Sequence, residues 1–162
     1  MIKRVFSAMA VPAVVIAALL GAADAASANT GHTVTSTQNF HGVQPFNQVN
    51  PCTGDPVSGT EATNMVNHVT FFPAGDEAWG TFTEEDNFSA VDQGTSATLT
   101  GHDTVWGNFN LNQQNANQTF TFSLHVTGSD GSSITSHEVM HMTLLPDGSI
   151  SVSFDKLSLT CG

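Results

Sequence analysis

Basic side chains are almost absent from this sequence of 162 residues, which has three Lys and Arg against fourteen Asp and Glu and a formal net charge of −11. Lys3 and Arg4 stand near the amino terminus, so Lys156 is the only Lys or Arg in the rest of the chain. Nucleic acids and anionic membranes are bound largely through cationic side chains. The composition therefore argues against both as partners.

Cysteine is also scarce, since only Cys52 and Cys161 are present. In an exported chain, an isolated pair of cysteines is expected to be oxidised. The bridge would close a loop of about 110 residues. By reducing the entropy of the unfolded chain, it is expected to stabilise the fold by about 4 to 5 kcal/mol. We predict this disulfide, with two free thiols as the alternative.

Long hydrophobic runs are missing except for residues 5–20, which follow two basic residues and precede a series of small ones. This arrangement is typical of a secretory signal peptide. A membrane-spanning helix needs about 20 apolar residues, whereas this run is shorter and contains a proline. Two A-x-A sites fit a signal peptidase, one ending at Ala25 and one at Ala28, and we favour cleavage after Ala28. We predict a signal peptide over 1–28 and a soluble, secreted single domain over 29–162 without a membrane segment.

The remaining residues favour β-structure, because Thr, Ser, Asn, Gly, Val and Phe are frequent and apolar residues alternate with polar ones between turn signals. Residues 42–59, with three prolines, are expected to form an irregular connector held by the disulfide. The expected strands are 32–41, 60–72, 77–90, 95–109, 117–127, 133–145 and 149–160. This pattern predicts an all-β fold, a single antiparallel up-and-down barrel of about seven or eight strands closed by one disulfide, with a β-sandwich as the alternative.

The segment SHEVMHM, residues 136–142, contains the H-E-x-x-H pattern of zinc proteases, formed by His137, Glu138 and His141. In a helix, residues four apart share one face and lie about 6 Å apart, so both imidazoles reach one metal ion. In a strand, the same two residues are separated by about 13 Å, which is too far for one zinc ion. The chemistry of the motif thus depends on the secondary structure of 133–145.

The stretch HEVMHMTLLPD resembles the zinc-binding segment H-E-x-x-H-x-x-G-x-x-D of snapalysin-type small secreted metalloproteases. The resemblance implies zinc as the cofactor, with His137, His141 and Asp147 as ligands. It also implies that Glu138 is the catalytic general base acting on a zinc-bound water. The match is confined to this stretch, and Leu144 replaces the glycine of the family. A small secreted zinc metalloprotease is therefore an alternative function.

The chain from PCTG, residues 51–54, to its end resembles a group of small secreted actinobacterial all-β proteins. The shared features are the PCTG segment, a GSDGS turn, a strand with histidines and a late FDK followed by a cysteine. The resemblance implies an exported all-β domain and brings no activity, cofactor or site with it.

As a strand, 133–145 would form a hairpin with the segment that follows the loop 146–148. A three-residue loop sets Leu145 opposite Ser149. The apolar pairs that result are Leu144–Ile150, Met142–Val152 and Met140–Phe154. The same register places Glu138 opposite Lys156 on the apolar face, where a carboxylate needs a partner. We therefore predict a structural ion pair between these two residues rather than a catalytic role for the glutamate.

The acidic segment TEEDNFS, residues 83–89, is interpreted as a solvated hairpin end, although its carboxylates also suit Ca²⁺. The phenylalanines, with Trp79 and Trp106, are numerous enough to fill a small barrel or to line a cavity. The favoured function is a secreted β-barrel binding or interaction module without a cofactor, whose partner is an apolar small molecule or a protein surface. A barrel enzyme with His68 or His102 as an acid–base group is a further alternative.

Overall fold

Seven β-strands and no helix make up the part of the chain that the computed structural model describes, residues 32–72, 77–112, 116–145 and 149–162. The predicted signal peptide, 1–28, and the loop 146–148 lie outside these ranges. The strands are β1 (Val34–Val49), β2 (Pro56–Phe71), β3 (Ala78–Asp92), β4 (Thr98–Leu111), β5 (Ala116–Gly128), β6 (Ser133–Leu144) and β7 (Ile150–Cys161). Within the described ranges, no helix has the length and apolarity needed to cross a membrane.

All seven strands belong to one antiparallel sheet, in which each strand pairs with the next strand of the sequence. The prediction of an all-β, up-and-down arrangement is confirmed, and a single sheet replaces the two sheets of a sandwich. β1 and β7 are the edge strands, and no ladder joins them among the described residues. We call the gap between these two strands the seam.

The sheet curls, because one of its faces is buried although no second layer of described residues covers it. Following the ladders from strand to strand places Cys161 level with Gln44 of β1. The disulfide nevertheless joins Cys161 to Cys52, further along the chain, with Cα atoms 5.9 Å apart. Such a stagger between the first and last strands is expected when a sheet coils toward a barrel. The predicted disulfide is confirmed, and it holds one end of the seam together.

The buried face, which we call the inner face, results from alternation along the strands. In β3 the even-numbered residues are mostly buried and in β4 the odd-numbered ones, while their neighbours are largely exposed. The core on this face includes Val69, Phe82, Val105, Phe122 and Leu124. Removing apolar surface from water contributes about 25 cal/mol per Å², so this face is the main source of stability.

Glycines make room for phenylalanine rings across the ladder between β3 and β4. The facing pairs are Gly80–Phe109, Phe82–Gly107 and Phe88–Gly101. A Cβ atom at Gly107 would lie 2.6 Å from the Phe82 ring and 2.7 Å from the carbonyl oxygen of Thr119. The ring therefore packs on bare backbone of the opposite strand, and this close approach requires glycine.

The interval 42–59 differs from its prediction, because most of it is strand. β1 continues to Val49 and β2 starts at Pro56, so only residues 50–55 connect them. Proline lacks the N–H that a ladder needs, but it is tolerated in edge strands and at the first residue of a strand. Pro45 lies in the edge strand β1 and Pro56 opens β2, so both follow this rule.

The register between β6 and β7 follows its prediction next to the turn. The N–H of Leu145 donates to the carbonyl oxygen of Ser149 at 2.9 Å. The pairs that match the prediction are Leu144–Ile150 and Met142–Val152. The hairpin predicted from the apolar residues is therefore confirmed in this part.

Beyond the turn, the predicted ion pair between Glu138 and Lys156 is wrong. The register shifts by one residue between His141 and Met142, so Glu138 faces Leu157 and Lys156 faces Val139. A β-bulge adds one residue to one strand, and a slip of one residue exchanges the two faces of everything beyond it. The carboxylate consequently lies on the inner face and the ammonium on the outer face.

Candidate ligand-binding site

Titratable side chains are sorted between the two faces of the sheet. Alternation and register place seven carboxylates of the strands on the inner face: Glu61, Glu84, Asp86, Asp92, Asp103, Glu138 and Asp155. The same criteria place the strand histidines on the outer face: His41, His68, His102, His125, His137 and His141. Lys156 is also on the outer face. Within the described residues, the inner face therefore has a strong excess of acid and no cationic side chain.

Four of these acids cluster in the middle of strands β2 to β4. Asp86 and Asp103 face each other directly across β3 and β4, and Glu84 lies two residues along β3 from Asp86. Glu61 of β2 accepts a hydrogen bond of 2.6 Å from the side-chain amide of Gln44. Glu84, Asp86 and Asp103 are only 7 to 8% exposed. We call Glu61, Glu84, Asp86 and Asp103 the carboxylate cluster.

Burial and mutual repulsion favour the protonated forms of two acids in this cluster. Burial, followed by the charges of Asp86, Glu61 and Glu84, raises the pKa of Asp103 to about 8. Burial, followed by the charges of Asp86 and Glu61, raises the pKa of Glu84 to about 7. The side chains of Asp86 and Asp103 also hydrogen-bond to each other. Such a bond requires a proton on one of them, because an ionised carboxylate only accepts.

Four buried polar atoms have no hydrogen-bond partner among the described residues, and all four lie together on the inner face of β2 and β3. They are Thr63 Oγ1, Asn67 Oδ1, Glu84 Oε2 and Asp86 Oδ1. Thr63 faces Asp86, while Glu84 faces Met65, which lies between Thr63 and Asn67 along β2. Buried polar atoms nearly always have partners, and leaving one without costs about 1 to 3 kcal/mol. We call these four residues the oxygen patch.

The oxygens of the oxygen patch need a hydrogen-bond donor or a cation as a partner, because amide and carboxylate oxygens accept hydrogen bonds. Across the described ranges, no three Asp, Glu, His or Cys side chains converge in a way that could hold a metal ion. Calcium needs six to eight oxygens at about 2.3 to 2.6 Å. An ammonium group donates along several directions at about 2.7 to 2.9 Å, so it suits oxygens that are spread over two strands.

Apolar side chains surround the oxygen patch. Met65 and Phe82 are 5% and 1% exposed, and Val105 faces Glu84 from β4. Phe122 of β5 faces Val105 and extends the apolar surface away from the acids. An apolar environment of this kind strengthens charged hydrogen bonds by excluding water.

Asp92, at the end of β3, is an inner-face acid with a different role. Its carboxylate accepts hydrogen bonds from Asn50 Nδ2 at 2.7 Å and from the backbone N–H groups of Gly94 and Thr95 at 3.0 Å. The bond from Asn50 is the largest of the interactions that lower the pKa of Asp92. This acid is fully partnered and holds the turn to β4, so it belongs to the scaffold.

A second acidic pair lies beside the seam. The side chains of Glu138 in β6 and Asp155 in β7 hydrogen-bond to each other. Burial, followed by the charge of Asp155 and this bond, raises the pKa of Glu138. The bulge in β7 is what brings Asp155 to the inner face, opposite Met140, where the sequence had predicted Phe154.

The H-E-x-x-H motif does not form a zinc-protease site, because β6 is a strand over its whole length. His137 and His141 lie on the outer face about 13 Å apart along the strand, and Glu138 lies on the inner face. Nδ1 of His137 is 3.0 Å from Ser123 Oγ, and Nδ1 of His141 is 2.6 Å from Thr119 Oγ1. The metal ligand predicted at position 147 lies outside the described residues.

The proposed acid–base histidines and both tryptophans are on the outer face. Nδ1 of His68 is 2.8 Å from the hydroxyl of Thr37, and His102 stacks on a neighbouring histidine ring at a centroid distance of 5.2 Å. Trp79 and Trp106 are 47% and 55% exposed. The predictions that these residues line the interior are wrong, since each alternates with the buried residues of its own strand.

Residues 83–89, expected to be a solvated hairpin end, lie in the middle of β3. The signal that corrects this prediction is in the sequence, because Glu84 and Asp86 share their parity with Phe82 and Phe88. Alternation places all four side chains on one face of a strand.

No family model, curated protein or solved structure matches the chain significantly. A function is therefore inferred from the geometry of the inner face.

Proposed function

We propose that this protein is a binding module that holds a small organic cation, an amine with an apolar body, on its inner face. The observation that supports this proposal is the oxygen patch, where the four buried side-chain atoms that lack a partner among the described residues lie together. The ammonium group of the ligand would donate to these oxygens. The apolar body would contact Met65 and Phe82, which face residues of the patch, and Phe122, which lies beyond Val105.

Charge complementarity supports a cation rather than a neutral ligand. The inner face carries acids and no Lys, Arg or His within the described ranges, and a nearby positive charge favours the ionised form of a carboxyl group. Binding should therefore lower the pKa values of Glu84 and Asp103 and release protons. Because deprotonated acids attract the cation more strongly, the affinity should increase from pH 6 to pH 9 while the amine remains charged.

Isothermal titration calorimetry with 2-phenylethylamine tests the proposal, and 2-phenylethanol is the neutral control of the same shape. We expect the amine to bind and the alcohol to bind at least about tenfold more weakly, a difference of about 1.4 kcal/mol. The heat of amine binding should depend on the ionisation enthalpy of the buffer, since protons are released.

Two variants locate the binding site in the same experiment. Glu84→Gln removes a charge from the oxygen patch, whereas Glu85→Gln removes one from the exposed outer face of the same strand. Only the first should weaken amine binding. Equal binding of amine and alcohol, equal effects of the two variants, or tight binding of Ca²⁺ in place of the amine would contradict the proposal.

We also propose that the protein acts outside the cytoplasm after removal of residues 1–28. The disulfide between Cys52 and Cys161 supports this, because such bonds persist in oxidising compartments. The intact mass of protein recovered from the culture medium should correspond to a chain that starts at Asn29. Retention of the whole chain inside the cells would refute export.

A further inference from the structure

We infer that the seam is a docking site for one extended strand of a partner protein, which carries a basic side chain toward the inner face. The number of strands sets its direction. In a meander of seven strands, β1 and β7 run the same way. A single strand placed between them and running in the opposite direction would form antiparallel ladders with both. It would complete a barrel of eight strands, a common number for closed up-and-down barrels.

The exposure of inner-face residues supports an occupant at the seam. Inner-face residues of β2 to β6 are buried or half-buried, apart from Leu111 at the end of β4. In contrast, Phe40 of β1 and Leu157 of β7 belong to the same face but are 43% and 40% exposed. An inserted strand would cover both residues with its own inward side chains. Its backbone would form hydrogen bonds with the N–H and C=O groups at the edges of β1 and β7.

The acids on both sides of the seam determine the charge of the occupant. On one side, Glu138 and Asp155 share a hydrogen bond, and on the other side Gln44 donates to Glu61. The disulfide links Cys161, at the end of β7, to Cys52 in the connector that follows β1. Since β1 and β7 run in the same direction, Asp155 lies level with the last part of β1, which contains Gln44. One Lys or Arg on the inner side of the inserted strand would lie between these acids.

A second copy of this chain is a poorer occupant. Pairing between two copies would bring together two chains that each carry a formal net charge of −11, which opposes association. It would also occupy one edge of each copy at a time, whereas the seam offers two edges to one strand. The disulfide closes one end, so the strand would enter from the other end and would span about eight to ten residues, a common strand length.

A designed peptide tests this inference directly. The probe has about nine residues, alternates Thr with Val as a strand requires, and carries Lys in place of one central Val. Its controls carry Glu or norleucine at that position, and a fourth peptide is N-methylated at alternate residues so that it cannot donate to one ladder. Binding is measured by fluorescence anisotropy, and the edges are followed by amide hydrogen exchange.

We expect the Lys peptide to bind and to slow exchange in β1 and β7 together, while the Glu and N-methylated peptides bind at least about tenfold more weakly. Asp155→Asn should weaken the Lys peptide about fivefold and leave the norleucine peptide unchanged. Glu85→Gln, the outer-face control, should affect neither. Glu84→Gln should also leave peptide binding intact, so loss of amine binding and loss of strand docking are distinguishable.

Three results would overturn the inference. The first is absence of binding by the Lys and norleucine peptides, and the second is protection of only one of the two edge strands. The third is slow exchange of β1 and β7 without peptide that depends on protein concentration, which would show that a second copy fills the seam.

Discussion

Replacing Asp103 with asparagine should stabilise the protein above neutral pH and flatten the pH dependence of its unfolding. Burial first, and then the charges of neighbouring acids, raises the pKa of Asp103 from 3.8 to about 8. Between these two values the folded state binds a proton that the unfolded state has lost. The stability that this group contributes is therefore complete below about pH 4 and is lost as the pH rises through 8.

The magnitude follows from the width of that interval. From 3.8 to about 8, at about 1.4 kcal/mol for each pH unit, the upper bound is about 6 kcal/mol. Water that reaches the cluster reduces this value, and we expect about half of it, or about 3 kcal/mol, to be lost between pH 5 and pH 9. Glu84, with a pKa of about 7, changes the stability in the same direction.

Urea unfolding from pH 4.5 to 9 measures the effect. Asparagine has the shape of aspartic acid, remains neutral and can donate to Asp86 in place of the shared proton. Asp103→Asn should be about 2 to 3 kcal/mol more stable than the unmodified protein at pH 8.5, with little difference at pH 4.5. Glu85→Gln controls for the loss of one charge from a very acidic protein. Identical pH profiles of the two variants, or a natural chain that becomes more stable from pH 5 to 8, would refute the reasoning.

Three further predictions concern the scaffold. Gly107→Ala should destabilise the fold by about 2 to 3 kcal/mol, because the added Cβ would meet the Phe82 ring. Gly42→Ala is the control and should be tolerated, because a Cβ there has nothing within 4 Å. Equal losses of unfolding free energy in urea for the two variants would contradict this packing. Lys156→Ala should change the unfolding free energy by about 0.5 kcal/mol or less. A loss of several kcal/mol would instead indicate that Lys156 does form an ion pair with Glu138. Removing both cysteines should cost about 4 kcal/mol, and the denatured, unreduced protein should contain no free thiol, as a thiol titration can check.

The sequence predicts most of the fold because alternation is strong where a strand has one buried face. The prediction fails for β7, where alternation changes phase. Ile150, Val152 and Phe154 are even-numbered, whereas Leu157 and Leu159 are odd-numbered. That change of phase indicates a bulge, but the extra residue of a bulge can lie at several positions along a strand, so its position could not be predicted. The apolar matches beside the turn therefore fixed the register only as far as Met142.

The carboxylate cluster was harder to predict, because it departs from the rule that inner positions are apolar. Asp103 has the parity of Leu99 and Val105, as Glu84 has that of Phe82. Periodicity alone assigns these acids to the inner face, while their polarity alone assigns them to solvent. Places where two such rules conflict are often functional sites. The acids are buried in spite of their polarity, so the periodicity was the better guide.

The arrangement of the inner face opposes stability and so needs an explanation. Acids that repel one another, beside oxygens that have no partner within the described ranges, weaken a fold whose main support is the apolar surface around them. Apolar residues at Glu84 and Asp103 would remove both the repulsion and the pH dependence. A bound cation removes the same penalties without changing the chain, because it neutralises the acids and occupies the oxygens. The features that make the free protein less stable are thus those that would make it bind an amine.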